Sequence, residues 1–139
     1  MKLYLFYIGK QRDTNANALA IEYMRRSERY MRCEMREIQP TRYELWAKHP
    51  SASKILLDPT GKVYDSPKFS KLIGHAEEEA RDLVFVVGGA DGLPTGWRER
   101  ADALLSLSAM TFPHELARVM LAEQIYRALT MLRGHPYPR

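Results

Sequence analysis

The sequence predicts a single-domain α/β fold with a mostly parallel sheet. Short apolar or alternating runs are separated by helix-length amphipathic stretches along the whole chain, the pattern that builds strand–helix–strand units. The run Leu83–Val87 is apolar without a break, as in a strand covered on both faces. The chain has 139 residues, 45% of them hydrophobic, which suits one domain with one core spanning residues 1–139.

Residues 3–8 are apolar and aromatic and end at Gly9, predicting a first core strand rather than a signal peptide. Thr14 is placed to cap a helix running to about residue 31, with Ala16, Leu19, Ala20, Tyr23, Met24, Tyr30 and Met31 on its packed face. Residues 33–38 alternate weakly and predict a second strand, stopped by Pro40. Residues 44–49 suit a short helix ended by Pro50, and residues 54–57 a short strand followed by a turn at 58–61. Ser66-Pro67 reads as a helix start with Pro67 at the first helical position, and the helix is expected to reach about Arg81 with Gly74 weakening it. After the strand at 83–87 come a glycine turn at 88–92, a short helix over 96–102 and a strand over 104–107. A helix follows over 115–132 that is apolar almost all round, and pairing between two subunits is the simplest way to cover it.

Composition excludes several classes. One cysteine, Cys33, allows no disulfide framework, and its place beside a strand suits a buried, inert thiol. The four histidines, His49, His75, His114 and His135, are scattered without ligand spacing, so no metal site is expected. No run reaches about 18 apolar residues, so no membrane span is expected and a cytoplasmic location is the default. The formal charge of +4, with Arg25, Arg26, Arg29 and Arg32 clustered, fits either a nucleic-acid partner or a solvated helix face.

Ligands in such folds bind beyond the carboxyl ends of strands. Gly61, the 88–92 turn and the 108–113 loop all follow expected strands. Gly88, Gly89 and Gly92 permit a sharp turn and close approach to backbone, but the turn is neither a dinucleotide nor a Walker fingerprint. Asp91 suits either a ligand hydroxyl or the turn itself. The segment from Leu107 through Ser108, Ala109, Met110, Thr111 and Phe112 to Pro113-His114 offers amides and hydroxyls able to read an adenine edge, although Ser108 and Thr111 equally suit local backbone bonds. His114 is a candidate base, but the start of a helix favours its neutral form. In the tail, residues 133–139, His135 and Tyr137 offer stacking and hydrogen bonds and Arg133 and Arg139 offer phosphate partners.

The combination is more specific than its parts. KLYLFYIGK at 2–10, the LDPTGK segment at 57–62, the GG..G turn, LSLSxxTFPHxLxRVxLxEQxYRA and HPY together resemble the small SPOUT-class, alpha/beta-knot methyltransferases of large-subunit ribosomal RNA. The resemblance covers essentially the whole chain. It implies a C-terminal trefoil knot, which general folding rules alone would never suggest. It implies S-adenosyl-L-methionine as cofactor and methylation of N3 of a pseudouridine in 23S rRNA, within an assembled ribosome, by a homodimer whose sites are completed across the interface. On that basis Leu57, Gly88, Gly89, Gly92 and residues 107–112 are expected around the cofactor. His135 and Tyr137, with His114 as the weaker alternative, are expected at the reacting base, and Lys10, Arg25, Arg26 and Arg133 along the RNA backbone. Three departures from the family pattern stand out: Ala90 where a proline is usual, Pro138 where a histidine is usual, and a shorter stretch between residues 38 and 54. They keep two alternatives open, a related knotted methyltransferase with another RNA target and a noncatalytic RNA- or ribosome-binding homologue.

Overall fold

A computed structural model describes residues 1–137. Five parallel strands form one sheet: β1 (Lys2–Tyr7), β2 (Arg32–Glu37), β3 (Ser53–Val63), β4 (Leu83–Val87) and β5 (Ala103–Ser106), in the order β2-β1-β4-β3-β5. Five helices connect and cover them: α1 (Thr14–Ser27), α2 (Leu45–Lys48), α3 (Ser66–Glu78), α4 (Trp97–Arg100) and α5 (His114–Leu132). β4 is central and wholly buried, which is why its sequence carries no alternation. One face of the sheet packs Leu3, Leu5, Ile55 and Phe85 against α1, α3 and α5, and the other packs Phe6, Leu56, Val84 and Val86 against Leu45 and Trp97. Each such large apolar side chain contributes on the order of 1.5–3 kcal/mol by leaving water.

Several boundaries differ from expectation, each for a local reason. Asp13, not Thr14, caps α1, because its carboxylate accepts from the Ala16 amide. The helix stops at Ser27, and the chain turns through residues 28–31 to bury Met31. α3 starts at Ser66 with Pro67 one place later, capped by Asp65, and ends at Glu78 rather than Arg81. The largest correction is at residues 58–61, which form no terminal turn. β3 continues to Val63, and both Leu57 and Lys62 pair with Leu105, so these four residues bulge out of a continuous strand. Gly61 is required there, since a Cβ would lie 2.6 Å from the carbonyl carbon of Leu104. β5 ends at Ser106, which leaves Leu107 in the following loop.

α5 also differs from the all-round apolar helix of the sequence. Val119, Leu121, Ala122, Ile125, Ala128 and Leu129 are buried within the chain's own core. The apolar surplus reduces to Leu116, Met120 and Met131, which are 46%, 43% and 41% exposed. Cys33 is buried, and burial pushes its thiol up to about 12, keeping it protonated and unreactive at neutral pH. Among the described residues no helix is long and apolar enough to cross a membrane.

Candidate functional site

A cavity of about 530 Å³ opens at the carboxyl edge of the sheet, where β4 and β5 end beside the bulge in β3. The β4 exit supplies Val87, Gly88, Gly89, Ala90, Gly92 and Leu93. The β5 exit supplies Leu105, Ser106, Leu107, Ser108, Met110, Thr111, Phe112 and Pro113, and α5 adds His114 and Ala117. The β3 bulge closes the third side with Leu57, Asp58 and Pro59. Of the ten residues expected around a cofactor, Ala109, which is exposed, is alone absent from this lining.

The glycine turn is shaped by its own backbone. Gly92 donates to the Gly89 carbonyl at 2.9 Å and has φ +79°. A Cβ on Gly88 would lie 2.8 Å from the Gly92 carbonyl carbon, and one on Gly89 would lie 2.9 Å from the Ile8 oxygen. Bulk at either position forces backbone apart, so the wall stays flat and its peptide groups stay open to a ligand. In the second loop Ser106 Oγ donates to the Ser108 carbonyl at 2.8 Å, and the Ser108 hydroxyl accepts from the Met110 amide at 3.0 Å. The two serines therefore fix the loop, and the Ser108 hydroxyl has the local role that its residue type allowed.

Sequence reasoning missed the charge arrangement behind these walls. Asp58 is 8% exposed, accepts from the Thr60 amide at 2.8 Å and pairs with Arg98 Nε at 3.0 Å. Burial pushes its carboxyl up, but the Thr60 amide and hydroxyl and the Arg98 charge outweigh it and hold it below the usual range. Glu115, next to His114, accepts from the amides of Arg12 at 2.6 Å and Asp13 at 2.9 Å and from the Asn17 side chain at 3.3 Å. The Arg12 amide, with that of Asp13, holds its carboxyl below the usual range, against a small opposing effect of burial. Arg118, one turn along α5, is fully buried, donates to Asn17 Oδ1 and stacks with its guanidinium carbon 3.6 Å from the Tyr7 ring centroid. Among the described residues its Nε and Nη2 have no partner, and burial pulls its pKa down. A lone arginine inside an apolar helix pattern signals such a site only once its neighbours in space are known.

The structure does not bring the expected tail residues to this cavity within one chain. Tyr137 lies 4.6 Å from the Tyr126 ring and donates its hydroxyl to Glu123 at 2.8 Å, while the exposed His135 sits edge-on to Tyr30 at 6.2 Å. Burial and the Glu123 carboxylate push the Tyr137 phenol up, so it remains a neutral donor. Of the expected RNA contacts, Arg25 and Arg26 both pair with Glu22 at 2.7 and 2.8 Å, Arg133 Nη1 lies 2.9 Å from Glu77, and Lys10 is exposed. Pro138 and Arg139 lie outside the described residues.

Leu57, Leu105, Leu107, Met110 and Phe112 give the cavity a mostly apolar surface, and its volume is in the size range of small-molecule sites. Among the described residues no group of three or more His, Cys, Asp or Glu is placed to hold a metal. A family model described as "Predicted SPOUT methyltransferase" matches residues 1–138. The chain is 62% identical over 139 residues to the ribosomal RNA large subunit methyltransferase H of Solibacter usitatus (strain Ellin6076), covering 100% of both. It is 38% identical over 154 residues to the protein of the same name from Cereibacter sphaeroides (strain ATCC 17029 / ATH 2.4.9), covering 100% of this chain and 99% of that one. In architecture it is similar to a probable methylase family protein from Haemophilus influenzae Rd KW20, with a TM-score of 0.64 at 8% identity over 99% of this chain and 70% of that one. A probable methyltransferase from Bordetella pertussis Tohama I gives 0.58 at 12% identity over 91% and 93%. These two likenesses speak for the fold alone. The family match and the whole-length relatives together show that the chain belongs to the SPOUT methyltransferase family.

Proposed function

We propose that this protein is an S-adenosyl-L-methionine-dependent methyltransferase of 23S rRNA that modifies N3 of a pseudouridine, working in the cytoplasm on the assembled ribosome as a homodimer. The observation that carries the reading is the cavity at the ends of β4 and β5, walled by the glycine turn, the 106–113 loop and the β3 bulge, in a chain of this family. Both whole-length relatives are named for large-subunit rRNA methylation. The reading includes the family's C-terminal knot.

The cofactor supplies an electrophilic methyl group on a cationic sulfonium. Leu57, Leu105, Leu107, Met110 and Phe112 exclude water from its apolar parts, and the peptide groups of the 106–112 loop bind its base. Gly88 and Gly89 leave room for the target nucleobase to approach in line. Holding the two reactants in that geometry is the main source of rate. His135 and Tyr137 contact the target base from the partner subunit, with His114 on the rim as the alternative in the same chain. The exposed Leu116 and Met120, one turn apart beside the cavity, support pairing of α5 with a second copy. Ala90, in place of the usual proline, favours as second reading a relative of these enzymes with another RNA target.

The test is methyl transfer to ribosomes lacking the modification, followed by mapping of the modified nucleotide, with saturable cofactor binding measured alongside. Methyl on N3 of a large-subunit pseudouridine is expected. Methyl at another nucleotide selects the second reading, and failure to bind the cofactor or its demethylated product removes the enzyme reading altogether.

A further inference from the structure

The loop between β1 and α1, residues 8–13, is fastened to two walls of the cavity at once. Ile8 donates to the Val87 carbonyl at 3.0 Å at the β4 exit, and its own oxygen closely faces Gly89. At the other end the Glu115 carboxylate grips the Arg12 and Asp13 amides from the first turn of α5, next to the cavity-lining His114. Between these anchors Gly9 takes φ +100°, and Lys10, Gln11 and Arg12 are all exposed. The backbone of the loop is anchored at both ends, Gln11 donates to the Tyr7 hydroxyl at 2.9 Å, and the Lys10 and Arg12 side chains are exposed.

The charges around the loop are unevenly committed. Arg98, on the bulge side, is spent on Asp58 and Thr60. Asp13 caps α1, and the Glu115 carboxylate is shared among three donors. Among the described residues, neither Lys10 nor Arg12 makes an ion pair. Asp91, exposed on the glycine turn, repels phosphate from that lip and leaves the loop at 8–13 as the attractive one.

We propose that Lys10 and Arg12 form a phosphate clamp for the RNA strand beside the target base, and that Glu115 is the positioning residue that holds the clamp in register with the cavity. The proposal rests on the rRNA reading above. Two cations two residues apart on an extended loop suit neighbouring phosphates of a splayed, single-stranded segment, the form in which a base is presented for modification. The clamp carries no sequence information; it sets where along the strand the base enters.

The experiment is steady-state methyl transfer to unmodified ribosomal large subunits across a salt series, with cofactor affinity measured separately by calorimetry. For Lys10→Ala/Arg12→Ala the clamp predicts a KM for the subunits raised about tenfold and a plot of log(kcat/KM) against log salt shallower by about 1.4 to 1.8, the contribution of two phosphates. Cofactor affinity is unchanged. Glu115→Ala moves KM in the same direction, and Glu115→Gln, which keeps one acceptor for the two amides, recovers only part of the loss. An unchanged salt slope in the double variant overturns the clamp, as does a loss confined to cofactor affinity. If the wild-type protein transfers no methyl group, the rRNA methylation reading fails first, and cosedimentation with large subunits over the same salt series still decides the clamp: equal slopes for wild type and variant reject it.

Discussion

The loops around the cavity and the C-terminal tail are both short irregular segments that follow regular elements, yet they are built in opposite ways. The 88–92 and 106–113 loops are held by their own backbone and by two serines, and they face inward on a common space. The tail is held from outside itself: the Thr130 backbone carbonyl accepts from the His135 amide, the Glu123 carboxylate accepts from the Tyr137 hydroxyl, and Glu77 binds Arg133. A self-contained loop makes a site whose shape survives in one chain. A tail pinned to the back of its own helix presents its polar edge outward, toward whatever covers that helix. The comparison fits the proposal that one subunit builds the cofactor half of the site and a dimer completes the base-contacting half.

The largest effects that separate the two are expected in the walls. Gly61→Ala drives a Cβ into the Leu104 peptide, and overpacking of this kind costs ~2–3 kcal/mol. Thermal unfolding is expected to move down by roughly 10 °C, and a midpoint within a degree of wild type would show that the bulge is not clamped between β3 and β5. Gly88→Val is expected to leave folding largely intact but to weaken cofactor binding by at least about tenfold, since the turn must open by more than a methyl radius. Titration calorimetry reads this directly.

His135→Ala should behave in the opposite sense, with turnover falling on the order of 100-fold from lost orientation of the base while cofactor affinity stays at the wild-type value. An unchanged rate would remove His135 from the site. The smallest effect concerns acid stability. Asp58 is held below its ordinary value in the fold, so its contribution is complete above that value and disappears as pH falls through the lower, folded value. The melting temperature of the wild-type protein is therefore expected to fall as the pH drops below about 4, and that of Asp58→Asn to fall less over the same range. Parallel curves would show that the Arg98 pairing contributes nothing to holding the cavity's third wall.

Much of this architecture was legible because it is local. The unbroken run at 83–87 marks a buried strand, and Gly9, Pro50 and the glycines at 88–92 mark element ends, by backbone rules that need no tertiary information. The bulge at 58–61 was read as a turn because Asp-Pro-Thr-Gly has turn chemistry; only pairing with β5, more than forty residues later, carries the strand onward to Val63. The Glu115 and Arg118 contacts reach across α1 and β1 and have no sequence signature. The arginines at 25, 26 and 133 are a different case: the residues are visible in the sequence, but the carboxylates that engage them, Glu22 and Glu77, become partners only in the folded chain.

The division of the site between subunits is tested most directly by mixing two defective dimers. Gly88→Val lacks a cavity but keeps its tail, and His135→Ala keeps its cavity but lacks the tail histidine. After subunit exchange, random pairing makes half the dimers mixed, with one complete site in each, so methyl transfer should return to about a quarter of the wild-type rate. If the tail serves the cavity of its own chain, the exchanged mixture stays as inactive as its components, and the composite site is contradicted.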